Sequence, residues 1–142
     1  MSARSEWIWI AAIAIFAFVG KRRHTNNPPV PGHHHPPTTK RFTFEQCREL
    51  AAAANNADPT TAAAIAMAES SGNPNAIGDN GQAFGLWQIN MRFAPKRWQL
   101  GAALLFPGLN VQAMNTMSSN GQDFSPWPTF NNGKYKQFLP KS

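Results

Sequence analysis

Hydrophobic and polar positions divide this chain into three stretches that obey different rules. Trp7 to Gly20, WIWIAAIAIFAFVG, is fourteen residues without a charge. As a helix it would be roughly 21 Å long, short of the ~30 Å hydrocarbon core of a bilayer. Arg4 and Lys21 at its ends can snorkel, and Trp7 and Trp9 suit an interfacial belt. The favoured reading is an uncleaved single-pass anchor over residues 1–23, in contact with lipid through residues 7–20. A cleavable signal peptide and a peripheral helix are the alternatives. Against the signal peptide, Glu6 spoils a basic leader, and Lys21-Arg22-Arg23 stands where small residues precede cleavage.

Residues 24–41 change the pattern. His24 to Lys40, HTNNPPVPGHHHPPTTK, has five prolines and almost no apolar side chains. It cannot bury enough surface to fold, and proline holds it extended, so it reads as a linker. The remainder, 42–142, carries the periodicity of a folded domain. Thr43 with Gln46 three residues on resembles a capping box, and Phe44, Cys47, Leu50, Ala51 and Ala54 follow at helical spacing, predicting a helix from Thr43 to about Asn56. Asp58-Pro59 is an N-cap followed by proline at the first helical position. The next stretch is apolar all round over Ala62–Ala68, which predicts a helix buried centrally, capped by Gly72 and stopped by Asn73-Pro74. Asn75 to Asn90 reads as loop plus a short hairpin, and further helices are expected near Pro95–Phe106 and Asn110–Ser119. The expectation is a predominantly helical α+β domain with a small β element.

Charge narrows the partners. The formal net charge is +6, but residues 1–41 hold Arg4, Lys21, Arg22, Arg23, Lys40 and Arg41 against Glu6 alone. From Phe42 onward seven basic residues meet six acidic ones, so the body is nearly neutral and offers no basic stripe to nucleic acid. The single cysteine, Cys47, excludes an intrachain disulfide and falls on an apolar helix face as a small buried hydrophobe. All four histidines lie in residues 24–35, away from any serine or cysteine nucleophile of the body. Zinc ligation by His33–His35 has no further ligand residue nearby, so neither metal nor cofactor is expected.

Glu69 is the candidate for chemistry. It ends a helix whose preceding residues are Ala, Ile and Met. Desolvation and the negative end of the helix dipole both disfavour its carboxylate form, which raises the pKa toward what a general acid needs. The plain alternative is a helix-terminal Glu pointing to solvent.

The residues that follow it bear on that choice. Glu69-Ser70-Ser71-Gly72-Asn73-Pro74-Asn75-Ala76 resembles the E-S-x-x-N-P-x-A signature of soluble-lytic-transglycosylase domains, relatives of the goose-type lysozyme-like family. Gly85-Leu86-Trp87-Gln88-Ile89 resembles their G-L-[MW]-Q-[LI] motif. Pro107 to Ala113 is similar to their P-x-x-N-[IV]-x-x-A stretch, and Thr129-Phe130-Asn131-Asn132-Gly133 to A-Y-N-A-G. The four motifs stand in family order. The resemblance implies a lysozyme-like fold and cleavage of peptidoglycan glycan strands between N-acetylmuramic acid and N-acetylglucosamine, with Glu69 as acid and then base. It implies that Ser70, Ser71 and Gln88 shape the cleft, that Asn110 supports it, and that Gly85 lets a sugar approach backbone; Phe130, Asn131 and Tyr135 complete the expected substrate site. Phe130 departs from the family: a tyrosine there is placed to hydrogen-bond the catalytic carboxylate, and phenylalanine cannot. Tyr135 either replaces it or packs.

Two questions stay open at this point. Asp79 and Asp123 are the candidates for a second carboxylate, which a lysozyme-type hydrolase uses and a lytic transglycosylase does not. Asp79, between Gly78 and Asn80, also reads naturally as a turn residue, which favours the transglycosylase. A non-catalytic wall-binding virion protein is the alternative that Phe130 feeds. Three positive charges, Lys21, Arg22 and Arg23, directly follow the apolar segment 7–20, so the positive-inside rule would hold the body in the cytoplasm. A wall-degrading body must face the wall, which fits a bacterial inner membrane with that bias overridden, or the internal membrane of a bacteriophage particle.

Overall fold

Thr43 starts the first helix, α1 (Phe44–Ala53), through the expected capping box: Gln46 N donates to Thr43 Oγ1 at 3.1 Å, and Thr43 N donates to Gln46 Oε1 at 2.9 Å. The structure, a computed structural model, describes residues 40–142, so the expected anchor and the linker up to residue 39 lie outside the described residues. Among the described residues no helix is long and apolar enough to cross a membrane. The first helix stops short of Asn56. Asn55 turns left-handed (φ 61°), and Asn56 is drawn inside, where its amide donates to Asn115 Oδ1 at 2.7 Å.

Asp58 accepts from Thr61 N at 3.0 Å and so caps α2 (Pro59–Ser70), which has proline at its first position. Ala62 to Ala66 are fully buried, as a helix without a polar face must be. Ser71, not Gly72, is the first residue to leave the helix (φ 52°), and Gly72 follows at φ 72°. Glycine is required there for a second reason. A Cβ on Gly72 would lie 2.0 Å from the Phe42 carbonyl oxygen, because Phe42 N donates to Gly72 O at 2.7 Å. Arg41 Nη1 donates to the carbonyls of Ser70 (3.1 Å) and Ser71 (3.2 Å), a cation on the negative end of α2. Read from sequence as the last linker residue, Arg41 is tied to the body.

Between α2 and the next helix the chain forms a three-stranded antiparallel sheet, one strand more than the expected hairpin. Its strands β1 (Ile77–Gly78), β2 (Ala83–Phe84) and β3 (Ile89–Asn90) pair in sequence order, with Ile77 opposite Phe84 and Ala83 opposite Asn90. Asp79 and Asn80 make the first turn in left-handed conformation (φ 48° and 52°), which these residue types tolerate. The helix expected over Pro95–Phe106 is instead two 3₁₀ segments, Lys96–Trp98 and Gly101–Leu105, interrupted where Gly101 takes φ 55°. Pro107 then opens α3 (Pro107–Met117), three residues ahead of expectation and at the position where proline's fixed φ suits a helix start. A short helix, α4 (Pro128–Asn131), and a 3₁₀ segment (Lys134–Phe138) finish the chain.

The core lies where α1, α2 and α3 meet the sheet. Cys47, Ile65, Leu86, Trp87, Val111 and Met114 are inaccessible there, and burial pushes the Cys47 thiol up to about 12, so it stays protonated. Trp87 Nε1 donates to Ala62 O at 2.8 Å, and Trp127 Nε1 donates to Trp87 O at 2.8 Å, so both indoles pack as core and also tie the sheet side to the helices. The result is a helix-rich α+β body with a small antiparallel sheet.

Candidate active site

A cleft of about 360 Å³ runs between the sheet and the helical side, within the range of ligand pockets. Glu69, in the last turn of α2, lies in its wall. The sheet side contributes Asp79, Ala83, Gln88, Asn90 and Phe93. Opposite stand Met117 from the end of α3 and the loop Pro126-Trp127-Pro128.

Glu69 is half-buried, and Thr129 Oγ1 donates to its Oε1 at 2.6 Å. Desolvation raises the Glu69 pKa above the ordinary value; the Thr129 hydrogen bond and the positive charge of Lys134 pull it back, less strongly. The group that sequence reasoning missed is therefore Thr129. It stands where the resembled A-Y-N-A-G motif has alanine, and no local signal marks it.

Gln88 reaches the cleft by an unusual route. It holds a left-handed backbone (φ 45°), and its Nε2 donates to Ala76 O (3.1 Å) and Gly85 O (3.0 Å). Gly78 makes room for it, since a Cβ there would sit 2.4 Å from Gln88 Oε1. Asn110, from the first turn of α3, is inaccessible and grips the same turn from beneath. Its Oδ1 accepts from Trp87 N at 2.9 Å, and its Nδ2 donates to Phe84 O (2.7 Å) and Leu104 O (2.8 Å). Asn110 thus meets the cleft only through the backbone it holds.

Gly85 is required by its neighbours within the fold. At φ 78° its missing Cβ would point at Asn110 Nδ2 (2.4 Å) and Leu104 O (2.6 Å). The close approach that glycine permits on its side-chain side is internal, between the turn and α3. Ser70 and Ser71 are occupied with the end of α2: Ser70 Oγ donates back to Ala66 O at 3.0 Å, and Ser71 is the exposed left-handed cap. Neither is among the residues lining the cleft. Asn131 Nδ2 donates to Ser125 O at 2.8 Å, holding the loop that bears Trp127. Phe130 packs in an aromatic group, 5.8 Å from Phe124 and stacked at 5.0 Å on Tyr135. Tyr135 therefore takes the packing role of its two expected ones.

Of the two further carboxylates, Asp79 lines the cleft and accepts from Asn90 Nδ2. Asp123 does not line it; its Oδ1 accepts from Ser125 N at 2.9 Å in an exposed turn, and that bond lowers its pKa. Among the described residues no group of three or more His, Cys, Asp or Glu lies together as metal ligands would.

The profile of a family described as a lysozyme-like domain matches residues 48–129 of this chain. The chain belongs to the lysozyme-like domain family. The matched segment includes Glu69, both walls of the cleft and Asn110, and its last residue is Thr129. This lysozyme-like domain is thereby one of a family that acts on peptidoglycan. No curated protein and no solved structure matches the chain.

Proposed function

We propose that this lysozyme-like domain is a peptidoglycan lytic transglycosylase with Glu69 as its single catalytic carboxylate. The observation that carries the reading is the setting of Glu69: a half-buried carboxyl, its pKa raised by desolvation, in the wall of an open cleft. Such a group holds its proton to higher pH than an exposed one. Glu69 gives that proton to the glycosidic oxygen as the bond to C1 of N-acetylmuramic acid breaks. The carboxylate so formed takes the proton of that sugar's own 6-hydroxyl, whose oxygen closes on C1. The product carries a 1,6-anhydro ring, no water is consumed, and Glu69 ends protonated as it began.

Gln88 offers polar contacts to the strand on the sheet side. Phe93, 75% exposed on the same wall, offers an apolar ring to the face of a sugar. In the same reading, residues 7–20 hold the domain at a membrane, of a phage particle or of a bacterium, with the body toward the wall.

A hydrolase is the second reading, and Asp79 is the observation that favours it. A second carboxylate in the cleft of Glu69, oriented by Asn90, is what activation of a water would use. Mass analysis of products from purified peptidoglycan separates the two. The transglycosylase yields 1,6-anhydromuramyl ends. Ordinary reducing ends, abolished by Asp79→Asn, would replace it with the hydrolase, and the absence of any product would leave a wall-binding domain.

A further inference from the structure

The fourth motif that this stretch resembles implies a tyrosine hydroxyl at the catalytic carboxylate, and this chain has Phe130 at that place. The ring is not idle. It packs against Phe124 and Tyr135, and the Tyr135 ring is held face to face with it at 5.0 Å and 29°. Beside it, one residue earlier, a different hydroxyl meets the carboxylate: Thr129 Oγ1 lies 2.6 Å from Glu69 Oε1.

We propose that Thr129 is the positioning residue for Glu69 in this chain, holding one carboxyl oxygen so that the other carries the catalytic proton. The inference rests on the reading of Glu69 as the acid.

Local structure fixes the Thr129 side chain. Pro128 opens α4 with φ set by its ring, and Phe130 N and Asn131 N both donate to Trp127 O, at 3.0 Å and 3.2 Å. Trp127 is itself anchored in the core through its indole bond to Trp87 O. Thr129 thus stands on a turn attached to the core, and β-branching restricts its χ1. A hydroxyl that donates to Oε1 serves both protonation states. It stabilises the anion by hydrogen bonding, and it still donates to the carbonyl oxygen when the proton sits on Oε2. Fixing that choice matters because an acid displaced by about 1 Å can lose on the order of a hundredfold in rate.

The test compares wild type, Thr129→Val, Thr129→Ser and Glu69→Gln as full chains on purified peptidoglycan, with kcat and KM across pH. Valine keeps the shape and removes the donor; serine keeps the donor. We expect Thr129→Val to lose roughly 10–100-fold in kcat with KM little changed. The bond lowers the Glu69 pKa, so its loss moves the alkaline limb of the profile upward; Thr129→Ser restores both. A Glu69 carboxyl titration by NMR in Thr129→Val, moving up in the same sense, gives a readout independent of turnover and reports that the variant is folded. Wild-type kcat and an unmoved Glu69 titration in folded Thr129→Val, with Glu69→Gln inactive, overturn the role of Thr129 and leave Glu69 standing. Full activity in Glu69→Gln would overturn both.

Discussion

The first turn of α3 and the last turn of α2 each present a polar side chain to the interior, and the molecule handles the two in opposite ways. Asn110 is inaccessible and fully engaged by three backbone partners. Glu69 is half-buried, faces a cleft, and is met by the Thr129 hydroxyl. A neutral amide can be buried without loss when every donor and acceptor is matched, and it then specifies the turn around it. A carboxyl set in partly apolar surroundings with so few partners is held in an environment that disfavours its charge. The first arrangement builds a wall of the cleft. The second stores reactivity in the opposite wall.

Removing each side chain should therefore move stability in opposite directions. Asn110→Ala leaves Trp87 N–H and the carbonyls of Phe84 and Leu104 without their partner. It should cost about 3 kcal/mol or more in denaturant unfolding, since an unpaired buried group costs roughly 1–3 kcal/mol. A cost under about 1 kcal/mol would remove Asn110 from the support of the sheet side.

The smaller effect is at Glu69, and its sign depends on pH. Its folded pKa lies above the ordinary 4.5, so the native state binds the proton more tightly than the unfolded chain does. The fold is unpenalised at pH below the ordinary value and loses stability as pH rises from there through the raised pKa. Glu69→Gln lifts that penalty. Its gain in Tm should be greater at pH 7 than at pH 4, followed by thermal unfolding at both. A Tm difference that is equal at the two pH values would mean that Glu69 is solvated like any surface carboxylate.

Much of this contrast was legible in the sequence, and the reasons for the remainder are physical. Local signals carried the helices: the Thr43–Gln46 box, the Asp58-Pro59 start, and the apolar run that had to be buried on all sides. The third strand left no trace, because strands two residues long have no alternation to read. Near Pro95–Phe106 a helix was expected, and a left-handed Gly101 divides the stretch into two 3₁₀ segments. Glu69 could be singled out from its helix end and its apolar neighbours. Thr129 could not, because it lies sixty positions further along and meets Glu69 only through the fold. Gly85 shows the complementary limit: its motif said that glycine is needed, and only the backbone geometry said that Asn110 is the reason.

In the proposed mechanism Glu69 supplies the proton that breaks the glycan strand. Release of soluble muropeptides from purified peptidoglycan by the full chain, set beside Glu69→Gln at equal concentration, measures it directly. Release is expected from the wild type and background from the variant, in which glutamine keeps the shape of the side chain. Equal release by the two would contradict it.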